Sequence, residues 1–122
     1  MLNYNQMVVD HLDDADVDRL FHALSDATRR DIVRQVIVAE RSMSDLARRY
    51  PMSMTAVQKH IGVLEGAGLV SKHRQGREQR VRVNVVALRR AQGLLDDLEQ
   101  MWRERFDRMG ELLSEPNKEE ES

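Results

Sequence analysis

The segment from Ser53 to Val85 joins two different hydrophobic periods with almost nothing between them. Over SMTAVQKHIGVLEGAGLV, the residues Val57, Ile61 and Leu64 recur at i, i+4 and i+7, which predicts a helix with one buried line. Ser53 is its expected N-cap. Gly68 is its expected stop, because glycine takes a left-handed conformation at little cost. After Leu69 and Val70 the period changes to two. Val81, Val83 and Val85 alternate with Arg80, Arg82 and Asn84, as in a half-buried strand. The RQGRE segment turns the chain, with Gly76 free to take positive φ. A capped helix running straight into a hairpin leaves few ways to build the rest.

The preceding residues read as three helices. Asp14 or Asp16 caps the first, which reaches about Leu24 with Val17, Leu20, Phe21 and Leu24 at helical spacing. Asp26 caps the second, whose buried stripe is Ile32, Val33, Val36 and Ile37. Ser42 or Ser44 caps a short third helix that turns Leu46, Ala47 and Tyr50 inward. Pro51 disfavours the α region for Tyr50, so the helix ends there. Gly62 sits inside the fourth helix at a cost of roughly 1 kcal/mol, and close approach of another helix would account for it. A fifth, long helix runs from about Val86 to Leu113. The fold class is therefore mainly α with a two-stranded β wing: four helices, two strands, a fifth helix, a winged helix-turn-helix. Residues 1–14 form a lead, 15–113 one domain, and 114–122 an acidic tail expected to be disordered.

The formal net charge of −2 conceals a strong asymmetry. Residues 1–40 carry four basic against eight acidic groups, 41–82 nine against three, and 83–122 six against ten. The positive field is thus focused on the expected helix-turn-helix and hairpin, where it attracts phosphate rather than merely meeting solvent. In a helix-turn-helix the second helix enters the major groove. Its outward residues here are Ser53, Thr55, Gln58 and Lys59, all of types that read base edges. Lys72, Arg74, Arg77, Arg80 and Arg82 on the hairpin, with Arg77 at the tip, face phosphate or the minor groove. Arg29, Arg30, Arg48 and Arg49 are further candidates for phosphate. Arg29 and Arg30 occupy the first turn of a helix, where the dipole disfavours them, so an anion nearby is expected, with Asp26 and Asp31 the local candidates and DNA phosphate the functional one. His60 has two readings, phosphate contact or a structural brace.

Other chemistries find no support in the chain. Absence of cysteine removes disulfides and thiolate metal sites. No nucleophile–base–orienter set or metal-ligand cluster is visible, and the GAG of LEGAGL ends a helix with no strand before it. The expected protein is no enzyme and uses no cofactor and no metal. No run of apolar residues is long enough for a membrane span and no leader of signal type precedes the domain, which fits a cytoplasmic location.

The motifs LFHALSDATRRDIVRQV, SMSDLARRY, SMTAVQKHIGVLEGAGLV and RQGREQRVRVN together resemble the arsenic-resistance repressor (ArsR) family of dimeric winged-helix regulators, over about residues 17–113. The resemblance implies repression by occupying a promoter, with the first and last helices at a dimer interface. Many members sense thiophilic metals through a Cys-x-Cys pair. The matching positions here are Ser42 and Ser44, and hydroxyls are poor ligands for soft metals. Other members hold zinc with histidine-containing pairs on the last helix, and this one has none there.

The long last helix carries more apolar surface than so small a domain can cover. Leu88, Ala91, Leu95, Leu98, Trp102, Met109, Leu112 and Leu113, with Leu20 from the first helix, are expected to pair with a second copy. The partners implied are double-stranded DNA with a near-palindromic site, a second copy of the chain, and an effector, small molecule or protein, that the sequence does not identify. The rival reading is a protein-interaction module that uses the long helix and does not bind DNA.

Overall fold

The computed structural model describes residues 14–121, with side chains through Leu113. Helix α1 spans Asp14–Leu24, α2 Ala27–Val38, α3 Met43–Arg48 and α4 Met54–Gly66. Strands β2 (Val70–Gln75) and β3 (Glu78–Val83) form the hairpin, and α5 spans Val85–Glu121. The element order is the expected one with one addition. Arg41–Ser42 forms a short strand β1 on the far side of β3, so the wing belongs to a three-stranded sheet of order β1-β3-β2 rather than a free pair. Its register sets Arg41 opposite Val81 and Ser42 opposite Arg80.

Caps fix the helix starts. Asp26 accepts from the Arg29 backbone N–H at 3.0 Å, and Ser42, not Ser44, accepts from Asp45 at 3.0 Å. Ser53 accepts from Ala56 at 3.1 Å. At the end of α4, Gly68 takes φ 77° and donates its N–H to Glu65, while Leu69 donates to Leu64. The chain therefore turns into β2 within two residues. In the hairpin, Gln75 pairs with Glu78, leaving Gly76 and Arg77 as a two-residue loop with Gly76 at φ 63°.

The core gathers one line from each element. Ile32, Leu46, Val57, Ile61, Leu64, Leu69 and Val81 are fully buried, joined by Leu20, Ala23, Val33 and Val36. Ile37 departs from the expected stripe: it is 54% exposed, because burial follows the Ile32–Val36 line and no described residue covers Ile37 and Val38 in the last turn of α2. Val85 is not the last inward strand residue but the first residue of α5, and it is exposed. Asn84 ends the alternation by accepting from the Val86 N–H at 3.1 Å. Gly62 faces open space; an added Cβ would meet nothing within 4 Å, so helix packing does not explain it.

A first compact unit ends at Ala91, and a second begins at Gln92. The first turns of α5 belong to the former, with Ala87 and Ala91 in its core. Helical backbone continues past the expected end at Leu113. Apart from Asp14, which opens α1, the lead at residues 1–14 lies outside the described residues. No helix among the described residues is long and apolar enough to cross a membrane.

Candidate nucleic-acid interface

Burying Val57, Ile61 and Leu64 turns Thr55, Gln58 and Lys59 to the exposed side of α4. Ser53 is exposed too, but one lone pair of its hydroxyl is engaged in the cap, which leaves the proton and the other lone pair for a ligand. Between the start of α4 and the hairpin runs a groove of about 480 Å³, lined by Met43, Ser44, Met54, Gln58, Lys72, Arg74, Arg77, Glu78 and Gln79. The structure thus brings a base-reading candidate, Gln58, and the wing-tip cations to one concavity. Met54 was not singled out in the sequence, where it reads as one more apolar helix residue. As the first residue of α4 it is 43% exposed on this groove.

The five hairpin cations divide into two groups. Arg74 and Arg77 are exposed and have no ion-pair partner among the described residues. The other three are held. Lys72 lies 3.2 Å from Glu65. Arg80 reaches Glu78 at 3.0 Å, Glu40 Oε1 at 3.4 Å and the Glu40 carbonyl at 3.1 Å. Arg82 lies 3.7 Å from Glu40 Oε1 and 3.0 Å from His73 Nε2. Glu40 therefore gathers the root of the wing, and it sits there because β1 begins at the next residue. The sequence offered no sign of that strand.

The arginines on α2 and α3 are also engaged. Arg29 Nε donates to the Ala23 carbonyl at 2.8 Å and its NH2 to that of His22 at 3.1 Å; Arg30 NH1 donates to Leu24 at 2.8 Å. These are the last carbonyls of α1, the partly negative end of its dipole; of the acids expected there, Asp26 lies beside Arg29 and accepts its backbone N–H. Arg49 donates to Asp45 at 3.2 Å and to Gln35 Oε1 at 3.0 Å, while Arg48, on the surface, stands 3.6 Å from Asp45. Burial pushes the Asp45 carboxyl up, but the Arg49 hydrogen bond and the charges of Arg49, Arg41 and Arg48 outweigh it and hold it below the ordinary value. Asp26 is also held low, first by the Arg29 backbone N–H. On α4, His60 Nδ1 lies 3.2 Å from Arg29 NH1.

The residues assigned to self-association separate by burial. Leu20 and Ala91 are in the core and Leu88 packs against it, so they offer a partner little area. Leu95, Leu98, Trp102, Met109, Leu112 and Leu113 are exposed, and so are Met101 and Phe106, which the sequence reading passed over. Among the described residues no group of three His, Asp or Glu is placed to hold a metal ion.

Comparison with known proteins places this arrangement. A helix-turn-helix domain family matches residues 24–73. An HTH-type transcriptional regulator of Mycobacterium tuberculosis is 34% identical over 85 residues, 70% of this chain and 77% of that protein. The solved ArsR-like transcriptional regulator from Rhodococcus sp. RHA1 superposes with a TM-score of 0.72 at 34% identity, over 80% of this chain and 92% of the other. A homodimeric winged helix-turn-helix DNA-binding domain from Mycobacterium bovis superposes with a TM-score of 0.58 at 26% identity, over 71% and 82% of the two chains.

Proposed function

The chain belongs to the ArsR-like family of winged helix-turn-helix transcriptional regulators, and from that premise we propose that it works as a homodimeric repressor in the cytoplasm. As a DNA-binding regulator it places α4 in the major groove. Thr55, Gln58 and Lys59 read base edges there, with Gln58 pairing to adenine through its amide and Lys59 reaching guanine. Arg74 and Arg77 supply the wing's phosphate and minor-groove contacts. Arg30, Arg48 and Arg49 add a weaker field, since each already has a protein partner. Two copies joined through the apolar face of α5 set two recognition helices roughly 34 Å apart, one turn of a near-palindromic site. Occupying a promoter in this way blocks transcription.

The observation that carries the reading is the groove in which exposed Gln58 faces the unpaired cations Arg74 and Arg77. The test is binding to duplexes selected from a random pool, followed over a salt series. Wild type is expected to select one symmetric sequence and to weaken steeply with salt. In the Gln58→Ala, Lys59→Ala double variant the selected sequence should lose its advantage over random DNA. Equal selection by the double variant would overturn the assigned readout.

A further inference from the structure

The contact between Arg29 and His60 settles more than the position of a side chain. Arg29 has only donors to offer. Its NH1 stands 3.2 Å from His60 Nδ1, so that nitrogen must be the acceptor, and the imidazole proton resides on Nε2. Nε2 has no partner among the described residues, and the His60 side chain is only half-buried. Arg29 itself cannot drift away. Its Nε and NH2 are fastened to the carbonyls of Ala23 and His22, and its backbone N–H to Asp26. The result is a recognition-helix imidazole presented with its proton outward by an arginine anchored in the end of α1. The Asp26 carboxylate, the other charge facing this ring, is occupied by the Arg29 N–H.

Resting on the DNA-binding reading above, we propose that His60 donates its Nε2 proton to a DNA phosphate at the edge of the major groove, and that Arg29 is the positioning residue that fixes the tautomer. An ordered phosphate needs a donor held in one orientation, and a freely rotating or tautomerising imidazole would present it only part of the time. The contact is with the backbone, so it tightens specific and random DNA alike. It comes from a neutral ring, so it displaces no counterion.

Two substitutions separate the two ring nitrogens. In His60→Asn the amide oxygen stands near Nδ1 and keeps an acceptor for Arg29, but the outward donor is gone. In His60→Gln the amide nitrogen reaches the position of Nε2 and keeps the donor, but the Arg29 contact is lost. Duplex binding of wild type, His60→Ala, His60→Asn and His60→Gln is measured on the selected site and on random DNA. The expected result is a loss of roughly tenfold for His60→Ala and His60→Asn on both DNAs, an unchanged salt slope, and substantial recovery in His60→Gln. The reverse order, with His60→Asn binding like wild type and His60→Gln like His60→Ala, would make His60 a brace and overturn the proposal. Nitrogen-15 shifts of the free protein give a readout independent of binding. Wild type should show the Nε2–H form, and Arg29→Met a mixture of tautomers; an Nδ1–H form in wild type overturns the proposal. Failure of wild type to bind any duplex would remove the underlying reading instead, and the tautomer measurement would still stand.

Discussion

The Tyr50 hydroxyl donates to Asp31 Oδ2 at 2.7 Å, tying the turn before the recognition helix to the middle of α2. Burial, and then the hydrogen bond and charge of Asp31, push the phenol well above its ordinary range. A raised folded value means that the contribution to stability is fully present below the unfolded phenol's value of about 10 and fades as pH rises through the folded one. Tyr50→Phe is expected to cost about 1–2 kcal/mol near neutral pH, from loss of a hydrogen bond to a charged group. The deficit should narrow above pH ~10, where unfolded wild type ionises and the variant has no phenol to lose. Denaturant titrations of both proteins across that range measure it; a constant deficit would contradict the assigned contact.

The sequence showed this region clearly because its signals are local. A proline after Tyr50, a serine cap at Ser53 and a glycine at position 68 each act within one turn of chain, and the structure has all three boundaries. What escaped was long-range. Strand β1 is only two residues long and exists because β3 offers it an edge, so no periodicity could announce it. Without β1, Glu40 looked like an ordinary surface acid rather than the carboxylate under the wing. Of the acids expected near Arg29 and Arg30, Asp26 is beside Arg29, but the guanidinium groups themselves are held by backbone carbonyls, which every residue carries and no sequence pattern marks. The basic patch was legible as a sum, but which cations remain free depended on pairings across elements.

Gly62 offers a test of what glycine does on a recognition helix. It is exposed on α4, and an added Cβ meets nothing within 4 Å. Gly62→Ala should therefore stabilise the free protein by about 0.5–1 kcal/mol through helix propensity and reduced freedom of the unfolded chain. Thermal or chemical unfolding of the two proteins reads this directly. A destabilised variant would mean that glycine holds a backbone conformation alanine does not share. Should the stabilised variant bind duplex DNA more weakly, the missing side chain would mark a place where the nucleic acid approaches α4 closely.

Glu40 is the negative charge the wing root is built around, with His73 Nε2 at 2.6 Å and two arginines within 4 Å. Glu40→Gln removes that charge while keeping the size of the side chain. The site is a third exposed, so the cost in stability should stay below about 1 kcal/mol. Arg82 becomes available to phosphate while Arg80 keeps Glu78 and the Glu40 carbonyl, and binding to random-sequence duplex should strengthen with a steeper dependence on salt. Fluorescence anisotropy over a salt series is the measurement. Weaker binding with an unchanged slope would show that Glu40 serves DNA by shaping the wing rather than by restraining its charge.

The apolar face of α5 gives the oligomeric state its own test. Leu95, Leu98, Trp102, Phe106, Met109 and Leu112 recur at the three- and four-residue spacings of a helix seam, and Leu98 and Trp102 are 54% and 61% exposed. An aromatic and a leucine one turn apart at such exposure are the anchors a second helix would cover. Leu98→Asp combined with Trp102→Asp sets two carboxylates on that seam without touching the winged unit, whose core lies before Gln92. Sedimentation equilibrium should show a dimer for wild type and a monomer for the double variant, with the unfolding transition of the winged unit retained. Affinity for the symmetric site should then fall at least about a hundredfold, because each half-site must be bound without the effective concentration the partner provides. Binding to a single half-site should hardly change. A wild-type monomer, or a double variant that still dimerises, would place the contact between copies elsewhere than on α5.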